Sequence, residues 1–154
     1  MQRRLVIFGC WLLLSACSGS SQPTAVLANA THQTAQQAPE RVVQLLGELS
    51  INQHYAEIEP LYTPKARAGF TLNNQQSFAA GYGGPFRVHG PIYSMTHEAP
   101  RYIQADYATI EVHYYFDLSN TVSQTSQLLL QKTDGLWYIC QRIDREQAIP
   151  ARCE

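Results

Sequence analysis

Between Asp106 and Phe116 the chain alternates with a period of two. One set of positions holds Asp106, Ala108, Ile110, Val112, Tyr114 and Phe116; the set between them holds Tyr107, Thr109, Glu111, His113 and Tyr115. Successive side chains on a strand point to opposite faces, so this stretch predicts a β-strand with an apolar face toward a core and a mixed face away from it. Asp134-Gly135 is a two-residue hairpin signal, because both central positions of the favoured turn need a left-handed backbone. A turn there pairs Lys132 with Trp137, Leu130 with Ile139 and Leu128 with Gln141, and puts Leu128, Leu130, Trp137, Ile139 and Ile143 on one face. For Leu128 and Leu130 to share the face of Ile110 and Val112, even positions must pair with even. The connection near Leu118 must therefore be odd in length, for example 117–119, or contain a bulge. A further strand is expected through Val88 to Thr96, with Ala99-Pro100 near its turn, for about four antiparallel strands.

The first half has a different period. Val42, Val43, Leu45, Leu46 and Leu49 form a helical stripe, opened by Pro39 and Glu40, which suit a first turn. Asn52 is expected to cap a second helix with Tyr55, Ile58 and Leu61 on one side. Thr63-Pro64 reads as a cap and first helical position, starting a turn through Lys65 and Arg67. Asn73 or Asn74 then caps a helix carrying Phe78 and Tyr82, stopped by Gly81, Gly83, Gly84 and Pro85. Helices first and antiparallel strands after predict an α+β fold.

The start of the chain is of another kind. Arg3 and Arg4 precede an almost wholly apolar run from Leu5 to Leu14, the layout of a secretory signal and too short for a span of roughly twenty residues. The run ends in Leu14-Ser15-Ala16-Cys17, which resembles the lipobox of bacterial lipoproteins. That resemblance implies cleavage after residue 16 and a lipoprotein acylated at Cys17, with a palmitate-like chain among its lipids, facing outward from a bacterial cell envelope membrane. Two or more acyl chains anchor where one only visits. Inner versus outer membrane stays open. The leader holds two of the eleven Lys and Arg and none of the twelve Asp and Glu, so the mature chain carries −3. Such a charge provides no field for nucleic acid phosphates. Residues 18–38, free of charged side chains up to Ala38, read as a disordered spacer after Cys17. Cys10 leaves with the leader, and Cys140 and Cys153 remain as an even pair, expected to form a disulfide after export. The expected division is a leader over 1–16, acylated Cys17 and spacer over 17–38, one domain over 39–145, and a tail over 146–154 tied back by the bridge.

The N-terminal helix, the Leu61-Tyr62-Thr63-Pro64 segment, the Phe78 helix and the final hairpin Lys132-Thr133-Asp134-Gly135-Leu136-Trp137-Tyr138-Ile139 together resemble the NTF2-like, cystatin-resembling superfamily over roughly residues 39–145. The resemblance implies a curved sheet wrapped around helices as a cone whose mouth holds a ligand. It does not imply one activity.

By this reading Tyr55, Tyr62, Phe78, Tyr82, Tyr114, Phe116 and Trp137 are candidates to line a pocket for a small apolar ligand, against the alternative that they are core. Asp106 is the candidate catalytic base; as a residue at a strand start it also fits a solvated carboxylate. His32, His54, His89, His97 and His113 match no metal-ligand spacing, and no glycine run forms a phosphate loop, so no metal and no cofactor are expected. Tyr107, Glu111, His113 and Tyr115 lie on the other sheet face, beside Thr109, Thr125, Gln127 and Leu129. The resemblance implies that such a face forms a homodimer or envelope-partner interface. The leading expectation is a non-enzymatic, lipid-anchored domain that binds a small apolar ligand or a protein. The alternatives are an isomerase-, dehydratase- or hydrolase-like enzyme using the cone, and a structural subunit docking through the sheet.

Overall fold

The computed structural model describes residues 31–71, 77–84, 90–119, 121, 123–143 and 153. Cys17, Asn73, Asn74, Pro85, His89 and most of the expected spacer lie outside these residues. Helices α1 (Pro39–Ile51), α2 (Tyr55–Ile58), α3 (Pro64–Thr71) and α4 (Phe78–Gly83) precede the strands, with a 3-10 turn over Glu59–Leu61. The strands are β1 (Ser94–His97), β2 (Arg101–Gln104), β3 (Tyr107–Tyr115), β4 (Ser123–Thr133) and β5 (Leu136–Ile143). The fold is α+β, with helices packed on a curved antiparallel sheet of five strands among the described residues. No helix among the described residues is long and apolar enough to cross a membrane.

β1 and β2 both pair with β3, so they are two halves of one broken edge strand and the sheet is four strands wide. The break falls at Glu98 to Pro100, where proline cannot donate to a ladder. In the β3–β4 hairpin Ile110 faces Leu128 and Ala108 faces Leu130, the even-to-even register the alternation requires. The ladder leaves residues 116–122 as an odd-length connection, longer than the expected 117–119. Asp117 holds it by accepting from the backbone N–H of Thr121 at 2.9 Å and from the Ser119 hydroxyl at 2.7 Å.

The β4–β5 hairpin turns at Asp134-Gly135, both with positive φ, and pairs Lys132 with Trp137 and Leu130 with Ile139. The next pair departs from expectation. Leu129 faces Gln141, so Cys140 is an extra residue in β5, and Leu128 faces Arg142 in place of Gln141. A one-residue bulge exchanges faces for everything beyond it. Ile143, expected on the core face, now faces Gln127 on the opposite one, and Arg142 moves inward.

The core lies between α1, the short helices and the inner sheet face, with Val42, Val43, Leu46, Ile58, Leu61, Ala108, Ile110, Val112, Leu128, Leu130 and Ile139 all fully buried. Two expected caps and one expected helix stop are corrected by geometry. Asn52 closes α1, its side-chain amide donating to the Glu48 carbonyl at 2.8 Å, and does not open α2. The cap of α4 is Ser77, which accepts from the Ala80 N–H at 3.2 Å. Gly81 does not stop that helix. A Cβ there would stand 1.9 Å from the Phe70 carbonyl oxygen, so glycine is what lets α3 and α4 touch. Thr63, by contrast, caps α3 as expected, accepting from the Ala66 N–H at 3.3 Å.

The ordered domain also begins earlier than residue 39. Residues 31–35 are helical, and His32 and Gln36 are buried. His32 Nε2 donates to the Glu57 carbonyl at 2.8 Å, the Gln36 amide donates to the Pro60 carbonyl at 3.1 Å, and the Gln36 carbonyl accepts from the Trp137 N–H at 2.7 Å. The polar composition that suggested a spacer is used for backbone contacts along the edge of β5. Tyr62 and Thr63 meet that edge at Ile139, the Thr63 N–H donating to the Ile139 carbonyl at 2.9 Å.

Cys140 and Cys153 form a disulfide with Cα atoms 5.7 Å apart. Replacing both by serine is expected to lower stability by roughly 2–3 kcal/mol, the chain-entropy value for a loop of this size. The C-terminal segment should become protease-sensitive before the domain unfolds. Denaturation midpoints and timed proteolysis of oxidised and reduced protein check both expectations.

Candidate functional site

Of the candidate pocket residues, Tyr55, Tyr62, Phe78 and Tyr82 pack ring against ring. Tyr62, Phe78, Tyr82, Tyr114 and Trp137 are buried; Tyr55 and Phe116 are half-buried at the margin of the same cluster. Tyr62 meets Phe78 and Tyr82 with ring centroids 5.5 and 6.2 Å apart, Phe78 stacks on Tyr82 at 5.8 Å, and Tyr55 tilts against Tyr82 at 5.8 Å. Phe70 joins them, 4.8 Å from Phe78 and 5.2 Å from Tyr62. Tilted and edge-on contacts of this kind suit the ring quadrupole and add to burial. Trp137 stands apart, with Tyr102 against its ring at 5.9 Å and Lys132 Nζ 6.0 Å from its centroid.

The polar groups within the cluster are partnered locally. The Tyr82 hydroxyl lies 2.9 Å from the Ser50 hydroxyl at the end of α1. Arg142, turned inward by the bulge, donates from Nε to Ser126 Oγ at 2.9 Å and lays its guanidinium 5.3 Å from the Tyr114 ring centroid. Burial raises the phenol pKa of Tyr62, Tyr82 and Tyr114 above its ordinary value of 10.0. The Arg142 charge opposes that shift in all three, and the Ser50 hydrogen bond opposes it in Tyr82, but desolvation prevails. These phenols therefore stay protonated at neutral pH: they can donate a hydrogen bond but cannot take a proton. Every described Asp and Glu is at least partly exposed.

Asp106 is one of them. It sits with Ala105 on the exposed turn between β2 and β3, where its backbone carbonyl accepts from the Lys132 N–H at 2.8 Å. The strand begins one residue later than the alternation suggested, and this places the candidate base at the sheet's end, outside the aromatic cluster.

On the outer face Tyr107, Glu111, His113 and Tyr115 are half-buried, whereas their neighbours Thr109 and Leu129 are fully covered. His113 sits opposite Thr125, with Nδ1 and the Thr125 hydroxyl 3.0 Å apart. Its Nε2 lies 3.7 Å from a Glu98 carboxylate oxygen and 3.8 Å from one of Glu111. His54 and His97 are exposed and held locally, by Glu57 and by the Glu98 carbonyl. Among the described residues no three His, Cys, Asp or Glu side chains gather closely enough to hold a metal ion.

Sequence reasoning missed Phe70, Ser50, Ser126 and Arg142. Ala66 and Phe70 stand four apart after the Thr63-Pro64 cap, a signal that α3 continues past Arg67. Ser50 falls seven residues after Val43 on the apolar stripe of α1. Nothing in the sequence marks Arg142 as inward, because its face depends on the bulge.

No protein-family model and no curated protein matches this sequence. Among solved structures, the solution structure of a SEC-C motif containing protein from Rhodopseudomonas palustris superposes with a TM-score of 0.57 at 12% identity, covering 83% of this chain and 96% of that one. That likeness is one of fold.

Proposed function

We propose that the protein is a lipid-anchored component of a bacterial cell envelope, held by acyl chains on Cys17. Its NTF2-like domain docks another envelope protein through the outer sheet face and uses the cone interior as core. The interior arrangement carries this reading. Aromatic rings occupy one another's surfaces, their hydroxyls are kept protonated by burial, and the polar groups beside them hydrogen-bond to each other. Acid–base chemistry instead needs a group that exchanges its proton near the working pH. The outer stripe of Tyr107, Glu111, His113 and Tyr115 has the aromatic and polar mixture of protein interfaces.

The anchor has its own test. Cys17→Ser is expected to move the protein from the membrane fraction to the soluble envelope fraction without changing its fold. An equal membrane share for the variant would place the anchor elsewhere.

A further inference from the structure

We infer that a cleft along the covered edge of β5, on the far side of that strand from the aromatic interior, binds a small carboxylate. The cleft has a volume of about 250 Å³, and its walls include His32, Gln36, Pro60, Arg67, Leu136 and Tyr138. Three parts of the chain distant in sequence build it: the helical residues and turn over 32–36, the segment from the 3-10 turn into α3, and the start of β5. The inference stands apart from the anchor and from the reading of the interior.

Arg67 supplies the charge. Its Nε donates to the Tyr62 carbonyl at 2.9 Å, which fixes the guanidinium plane and leaves the two terminal amino groups of the fork. Among the described residues no carboxylate lies within ion-pair distance of it, and the cleft's lining contains no Asp or Glu. A fixed, planar fork matches the two oxygens of a carboxylate in a bidentate pair. Tyr138 is also in the lining and carries a hydroxyl. His32 contributes an acceptor. Because Nε2 donates to the Glu57 carbonyl, Nδ1 carries the bare lone pair, and this atom is buried without a donor from the protein. A bare acceptor cannot receive a carboxylate, which also only accepts; it suits an N–H carried by the ligand, such as the amide of a peptide's C-terminal residue. Pro60 and Leu136 add an apolar wall for a short aliphatic group.

Size narrows the ligand. The volume lies below the roughly 300–1,000 Å³ of pockets that enclose drug-sized molecules. It suits a few heavy atoms around one carboxylate, which a free short-chain acid and the C-terminal residue of a peptide both present.

The test is a titration of the purified, isotope-labelled protein followed by NMR at the amides of Gln36, Leu136 and Tyr138. The probes are acetate, acetyl-Ala-Ala with a free carboxylate, the same peptide as its C-terminal amide, and inorganic phosphate. Acetate should give saturable shifts and the amide none, with affinity falling about tenfold in Arg67→Gln. Tighter binding of the free-carboxylate peptide than of acetate assigns the cleft to a chain terminus; acetate binding without the peptide assigns it to a free acid. If Arg67→Gln does not fold, Tyr138→Phe removes only the hydroxyl and should weaken acetate about threefold. Three results would overturn the inference: no saturable shift up to about 50 mM acetate, equal binding by the variants, or phosphate binding as tightly as acetate.

Discussion

Raising the pH above about 10 is expected to destabilise this domain progressively, with a slope approaching at most about 4 kcal/mol per pH unit while three buried phenols stay protonated in the fold. The sign follows from proton binding. In the unfolded chain Tyr62, Tyr82 and Tyr114 lose their protons near the ordinary phenol value of 10.0, whereas burial in the fold raises all three above it. Above that pH the unfolded state binds fewer protons than the folded one, so each further unit of pH favours unfolding. The stabilisation is complete below about 10 and disappears as pH climbs toward the folded values. Each tyrosine contributes about 1.4 kcal/mol per unit, so Tyr82→Phe should reduce the slope by about a third. Urea midpoints measured between pH 8.5 and about 11.5 give the slope directly. A stability that stays flat across that range would mean the rings are reachable by solvent and the interior is open.

Leu128→Ala is expected to cost about 2–5 kcal/mol, as buried leucine truncations do. Leu128 is fully buried and central on the inner face, opposite Ile110 on one side and Arg142 on the other. Its removal takes methyl groups from the contact between sheet and helices and leaves a space the strands cannot close, since both neighbours are fixed by ladder pairs. The check is a lower urea midpoint at unchanged slope, the signature of lost stability without a changed unfolded state. A loss under about 1 kcal/mol would show that the site collapses freely and that the inner face is not tightly packed.

The parts legible in the sequence were those decided locally. The alternation in β3 set its faces, and Asp134-Gly135 fixed two of the three expected β4–β5 pairs, because period and turn chemistry act over a few residues. The stripe of α1 and the Thr63-Pro64 cap were readable for the same reason. What failed depended on contacts between distant segments. The Cys140 bulge exchanges Arg142 and Ile143 between faces, and no local pattern announces it. Gly81 resembles a helix stop until Phe70 is placed against it. His32 and Gln36 look like spacer composition until Glu57 and Pro60 supply their carbonyls. The candidate pocket was legible as a group of aromatics, since their parities and helix faces agree. Core packing was the stated alternative to a pocket for these rings; what the sequence did not supply were Phe70 and Ser50, which complete the cluster from positions given no part in it.

On the proposed reading the domain works through its outer sheet face and the interior is core. Complementation of a deletion strain at matched protein abundance tests it most directly, comparing Tyr82→Phe with a Glu111→Lys, His113→Ala double variant. Tyr82→Phe removes an interior hydroxyl and keeps the ring; the double variant alters only the half-buried outer stripe. Tyr82→Phe is expected to complement fully and the double variant to fail. Failure of Tyr82→Phe at normal abundance, with the outer-face variant fully active, would contradict that reading and return function to the interior.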